Sequence, residues 1–212
     1  MIIIVWILAF AITITIHEAA HAWTSDRLGD PSARLAGRLS LNQLNHYDPI
    51  GTTLLLVLVI MRSMGFPIVP FGWAKPVPVD PYNLQNPKKD SALISLAGPL
   101  ANLGLASALA IILRLSPNET VFAILYPVIL LNVALAVFNL VPVYPLDGGK
   151  ILVGLLPNKK ARSVELFLNR YGFLLLILLV FPSFQGASLI TTIITPIIGI
   201  ILKILVPGFS TI

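Results

Sequence analysis

Three residues near the start of the chain have the types and spacing for hydrolytic chemistry: His17, Glu18 and His21. Four residues apart on a helix, the two imidazoles project from one face and can grip a single divalent ion. Glu18 sits on the adjoining edge, where its carboxylate reaches a water beside that ion without having to bind the ion itself. Two imidazole ligands and one general base are the mechanical content of a His-Glu-x-x-His pattern. The setting adds weight. Residues 2–16 are predominantly apolar, and a carboxylate in a membrane helix costs roughly 2.5–3.5 kcal/mol on insertion scales.

A catalytic zinc takes three protein ligands and keeps one position open. With no cysteine in the chain, the third ligand must be another imidazole or a carboxylate. The position that a metzincin spacing would use is Arg27, and Glu119 and Glu165 are poorly placed. Asp147 is the better candidate. It follows a long apolar helix, two prolines break the backbone before it, and Gly148 and Gly149 permit close approach to another helix. His46 and Asp48 are the alternative, and they better suit a role supporting the ligands through hydrogen bonds.

The elements that must position these groups are read from composition. Of 212 residues, 57% are hydrophobic and 11% charged, against roughly 25% charged in soluble domains. That excludes a soluble enzyme, a disordered tail and a disulfide-rich module, and predicts an all-α polytopic membrane protein. At about 20 residues per crossing, the apolar count suffices for about six segments. The net charge of +5 forms no Lys/Arg stripe with interleaved aromatics, so no nucleic-acid partner is expected. No Lys or Arg precedes the first apolar run, so it is read as a retained helix and not a cleaved signal.

Charge placement refines the count. All Lys and Arg except Arg114 and Lys203 fall in 24–90 and 142–170, which the positive-inside rule assigns to the cytoplasm. Segment 51–64, about 21 Å long as a helix, is short of the roughly 30 Å hydrocarbon. It is therefore expected to dip in and return, with the proline-rich 66–87 stretch as the extended returning limb. The expectation is about five transmembrane helices plus one re-entrant helix and extended loop. The chain reads as a single domain over 1–212, with a catalytic core about 1–155 and C-terminal helices about 163–206. Trp6, Trp23 and Trp73 are read as interface anchors, the 150–162 basic run as a topology signal, and Gly98 and Gly104 as helix-packing positions.

Four patterns together make a resemblance. His17-Glu18-Ala-Ala-His21, Gly72-Trp-Ala-Lys-Pro, Ala97-Gly98-Pro99 with Asn102, and Asn139-Leu-Val-Pro-Val-Tyr-Pro-Leu-Asp147-Gly-Gly resemble the site-2 protease family of intramembrane zinc metalloproteases. The likeness covers roughly residues 10–155. His46-Tyr-Asp-Pro-Ile-Gly resembles the small branch without PDZ or CBS domains. The resemblance implies one zinc ion on His17, His21 and Asp147, with Glu18 activating the attacking water. It further implies that Asn139, Gly72 and Trp73 contact the substrate, held as an added strand along the 66–79 limb. The implied partners are the lipid bilayer and a transmembrane protein or peptide, cut in the cell membrane near its cytoplasmic face.

The competing reading is a divalent-metal transporter that uses His17, His21 and Asp147 as its transport site. It requires further polar ligands along a path to the outer face. The later helices supply only Asn102, Asn132 and Asn139 with a few Ser and Thr, so a dead-end catalytic site fits better.

Overall fold

The computed structural model describes residues 2–64, 73–116, 118–180 and 188–207. All the longer regular elements among them are helices, and nine are α-helical: α1 (Ile2–Arg27), α2 (Ser32–Leu35), α3 (Gln43–His46), α4 (Pro49–Ser63), α5 (Pro87–Leu115), α6 (Glu119–Asn139), α7 (Asp147–Leu155), α8 (Asn158–Val180) and α9 (Leu189–Leu205). The helix starts follow local chemistry. Pro87 opens α5 at a position where a missing N–H costs nothing. Asn118 caps α6, its side chain accepting from the Val121 N–H at 2.8 Å.

The fold is that of an all-α polytopic membrane protein. Helices α1, α5, α6 and α8 are long and apolar enough to cross a bilayer. The expected fifth crossing, α9, is apolar but has 17 residues, about 26 Å of helix. Helix α4, at 15 residues, is shorter than a full crossing, in line with a segment that enters and returns. Residues 65–72 of the returning limb lie outside the described residues, and 73–80 carry no regular secondary structure.

Helix α5 is the central plank, with α1, α6, α7 and α9 all packed against it. Ala106, Ala110 and Leu113 of α5 meet Ile129, Val133 and Val137 of α6, with Ile194 and Leu202 of α9 closing the cluster. The small alanines let the helices approach closely where dispersion and shape drive association between lipid-exposed helices. Polar side chains run along the inside of the bundle: Thr13, Asn102 and Asn132 are buried, while Leu8, Ile12, Ile111, Ile124, Phe173 and Ile200 are exposed. Gly104, expected at a helix contact, faces open space instead. Among the described residues, a small residue there has no neighbour to admit.

Outside the spans, Asp30 knots three segments together. It is fully buried and accepts from Ser25 Oγ (3.1 Å), Ser32 N (3.1 Å), Ser32 Oγ (2.6 Å), Asp80 N (2.8 Å) and Asn83 Nδ2 (2.9 Å). The end of α1, the start of α2 and the 80–83 turn thus share one carboxylate. Burial works against its charge, but the bonds from Ser32, Asn83 and Asp80 outweigh this and hold its pKa down to about 2. Because the folded value lies below the unfolded one, the stabilisation is complete above about pH 4 and fades as pH falls towards 2. Asp30→Ala strands the donors and is expected to cost about 3 kcal/mol, seen as a lower thermal midpoint in detergent. A midpoint equal to that of the unmodified chain would show that the knot carries no stability.

Candidate metal centre

Of the residues singled out by sequence, the fold brings together His17, His21 and Asp147. Their ligand atoms all lie within 4.8 Å of one another. Asp147 Oδ2 is 3.1 Å from His17 Nε2 and 3.3 Å from His21 Nε2. The two rings stand edge to face, with centroids 4.5 Å apart. Both histidines are buried and Asp147 is half-buried.

The hydrogen bonds on the far side of each ring decide what the near side can do. His21 Nδ1 is 2.6 Å from the Ile94 carbonyl oxygen, which can only accept, so Nδ1 carries a proton. His17 Nδ1 is 3.1 Å from Asn102 Oδ1. The amide orientation is set from its other end, where Asn102 Nδ2 donates to the Thr13 carbonyl at 3.3 Å. In its neutral form each ring then turns an Nε2 lone pair towards a carboxylate oxygen. Three acceptors converging in a buried site repel one another unless a cation sits among them. Ligand atoms held tetrahedrally at about 2.0–2.1 Å from a zinc ion lie about 3.4 Å apart, close to the 3.1 and 3.3 Å found between Asp147 Oδ2 and the two imidazoles. Two imidazoles and a carboxylate also form a known catalytic zinc donor set.

Room for the rings comes from Gly98 on α5. A Cβ there would fall 2.5 Å from His21 Nε2 and 2.6 Å from His17 Cε1. Gly98, expected at a helix contact, has the two imidazoles themselves as its packing partners.

Asp147 is delivered by an element that the sequence reading did not resolve, the nine-residue helix α7, of which it is the first residue. A carboxylate is favoured at that end of a helix. The chain before it folds back tightly: a Cβ at Gly148 would strike the Leu140 and Val141 carbonyls, and one at Gly149 the Tyr144 ring. Tyr144 in turn lies against Gly172 of α8. At the other end of α7, Gly154 lies on Ala92 of α5. Lys88 of α5 donates to the Leu156 carbonyl (2.7 Å) and Asn158 Oδ1 (2.8 Å). A cation at a helix C-terminus is itself favourable.

The other candidates lie differently. Glu18, half-buried on α1, makes no hydrogen bond or ion pair among the described residues. Asn139 donates to the Leu135 carbonyl of its own helix at 3.1 Å. Trp73 is exposed, its backbone packed on Gly51 of α4; Gly72 lies outside the described residues. His46 and Asp48 do not steady the ligands as expected. His46 Nε2 bonds to the Ser40 carbonyl (2.8 Å), and Asp48 accepts from the Gly51 N–H (2.7 Å). The positions beside the imidazoles belong to Ile94 and Asn102. Asn102 had a signal in the sequence, as a lone amide within an apolar helix. A backbone carbonyl has none.

Two substitutions test this geometry. Gly98→Ala is expected to lower bound zinc per chain several-fold at unchanged helix content, since rings tied at both ends cannot move aside. Asn102→Ala is expected to weaken metal affinity roughly 10- to 100-fold, measured by competition with a chelator. Full zinc loading in Gly98→Ala would show that the rings can yield.

Comparison with known proteins places the chain among zinc metalloproteases. The profile described as peptidase family M50 matches residues 115–179, which take in Asn139 and Asp147 but not the His17–His21 segment. The chain is 35% identical over 184 residues to YwhC of Bacillus subtilis, which bears a zinc-metalloprotease name, covering 82% of this chain and 78% of that one. It is 33% identical over 180 residues to Rip2 of Mycolicibacterium smegmatis, similarly named, covering 82% of this chain and 65% of that one. A zinc metalloprotease of Methanocaldococcus jannaschii is 36% identical over 98 residues, 45% of this chain and 29% of its own. No solved structure matches the chain. The identity with YwhC over most of both chains, joined to the patterns around His17 and Asp147, makes this chain a member of peptidase family M50, the site-2 protease family of zinc metalloproteases.

Proposed function

We propose that the protein hydrolyses peptide bonds of membrane-embedded protein substrates near the cytoplasmic face of the cell membrane. The observation that carries this reading is the convergence of His17, His21 and Asp147 beside Glu18, whose carboxylate makes no hydrogen bond among the described residues. His21 stands six residues before Arg27, about 9 Å of helix from the end of α1. That depth supports cleavage at or just inside the membrane boundary. The basic residues that follow, Arg27, Arg34 and Arg38, support a cytoplasmic assignment for that end.

Bound zinc supplies Lewis-acid polarisation of the scissile carbonyl and lowers the pKa of water. His17, His21 and Asp147 hold it, with Asn102 and the Ile94 carbonyl keeping the rings in one tautomer and orientation. Glu18 acts as the general base: it takes a proton from the attacking water and delivers it to the leaving amine. The buried polar side chains beyond His17 include Thr13, Thr15, Asn102 and Asn132. Thr13 bonds to both amides, its carbonyl accepting from Asn102 Nδ2 at 3.3 Å and its Oγ1 from Asn132 Nδ2 at 2.8 Å, and no second cluster of metal-binding groups occurs among the described residues. This supports a dead-end site over a transport path.

Substrate binding falls to the described end of the returning limb. Lys75 N–H bonds to the His46 carbonyl at 3.0 Å, and Asp80 N–H is held by Asp30. Between them, Val77 and Val79 keep backbone N–H groups without partners among the described residues. Each of Lys75, Val77 and Asp80 precedes a proline, which favours extended backbone. An unwound substrate can pair along this edge as an added strand.

Glu18→Gln is expected to retain zinc and abolish cleavage, whereas His17→Ala and Asp147→Asn lose the metal. Zinc per chain, read beside fragment analysis of membrane proteins in cells, checks both. Normal cleavage by Glu18→Gln would end the proposal. Val77→Pro deletes one edge donor and is expected to slow cleavage roughly 10-fold at full zinc loading; an unchanged rate would remove this limb from substrate binding.

A further inference from the structure

Between α2 and α4 the ordinary placement of side chains is turned inside out. Over residues 35–50 the only formal charges are Arg38 and Asp48. Arg38 is 5% exposed, its guanidinium donating to the Asn45 carbonyl and, at 3.4 Å, to that of Lys75. Asp48 is taken up by the Gly51 N–H. His46 is 2% exposed. Pointing outward are Leu35, Leu41, Leu44 and Ile50, exposed by 80, 68, 78 and 71%. A loop in water hides leucine and displays charge; this one does the reverse, and a patch of that kind marks a contact surface.

Three neighbouring features identify what covers it. Further along the chain, Val57, Ile60 and Met64 at and beyond α4 are also exposed apolar residues. Exposed Trp23, Tyr47 and Trp73 accompany it: Tyr47 within the loop, Trp73 packed on Gly51, and Trp23 on α1, which contacts α2 and α3. Such rings concentrate at the level of lipid headgroups. Arg27 lies over the Trp23 ring, 5.1 Å from its centroid, a cation placed where phosphate groups would lie.

We infer that residues 35–50 sit in the headgroup–acyl boundary of the bilayer, with Leu35, Leu41, Leu44 and Ile50 inserted among the lipid chains. Arg38 and the His46 carbonyl both bind Lys75. The loop thereby sets the depth of the extended chain that follows, and lipid becomes a structural partner of that chain.

The absence of cysteine makes the test direct. Leu41→Cys and Leu44→Cys carry a nitroxide label in the full-length protein, reconstituted in phosphatidylcholine–phosphatidylglycerol vesicles, with Lys160→Cys as the water-exposed reference. Power saturation is expected to show greater access to oxygen than to a water-soluble nickel chelate at 41 and 44, and the opposite at 160. Ratios at 41 and 44 equal to that at 160 overturn the inference. So does low access to both reagents with dipolar broadening between chains, which would seat a second copy on the patch. Bound zinc reports folding of each labelled chain. If a label at 41 or 44 costs the metal, Leu35→Cys and Ile50→Cys replace it and are read by the same two outcomes.

Discussion

A neutral imidazole offers one lone pair, and which nitrogen presents it depends on what the other nitrogen is doing. The metal centre rests on that constraint. By occupying Nδ1 of both rings, α5 commits both Nε2 atoms to the point where Asp147 arrives. The Ile94 carbonyl holds one ring, the Asn102 amide holds the other, and Gly98 between them clears the space. Residues 94, 98 and 102 recur every four along a single helix face, so one straight element presents the whole supporting surface. The central position of α5 in the bundle follows from that duty as much as from its apolar length.

Asp147 needs a different kind of support because it comes from far along the chain. A residue in a free loop would not hold an oxygen within a few tenths of an ångström of two rings. Here it heads a short helix gripped at both ends. Tyr144 wedges between Gly149 and Gly172 on one side, and Lys88 binds the end of α7 on the other. The carboxylate is thus referenced to the same helix that orients the imidazoles, and small motions of α5 carry all three donors together.

The candidate site residues were legible in the sequence for a physical reason: charged and imidazole groups stand out against apolar helices, where they are costly. His17, Glu18, His21 and Asp147 were visible this way, as were the membrane class and the short segment 51–64. The supporting contacts were not. Gly98 against the imidazoles is a meeting of two helices, which no periodicity within one of them encodes. Helix α7 was hidden because two adjacent glycines have low intrinsic helix preference, whereas close contacts with Leu140, Val141 and Tyr144 accompany them in a helix. Asp30 left a faint trace in Asp30-Pro31-Ser32, a turn-forming pattern. Its bonds to Asp80 and Asn83 cross fifty residues, and nothing local announces them. His46 invited a role near the metal because imidazole is a ligand type, yet its nitrogen serves a backbone carbonyl.

The prolines of the extended chain bear on how many neighbours it can have. Backbone groups of alternate residues in an extended segment face opposite edges. Pro76 and Pro78 fall on one edge, while Lys75, Val77 and Val79 fall on the other. The first edge has lost its donors, so a strand cannot zip along it. The segment can therefore accept a partner on one side only, and a second chain has no register in which to add behind it. An exposed strand edge ordinarily invites runaway association between chains. Here two residues of pyrrolidine chemistry leave one edge open for pairing and deny the other to aggregation.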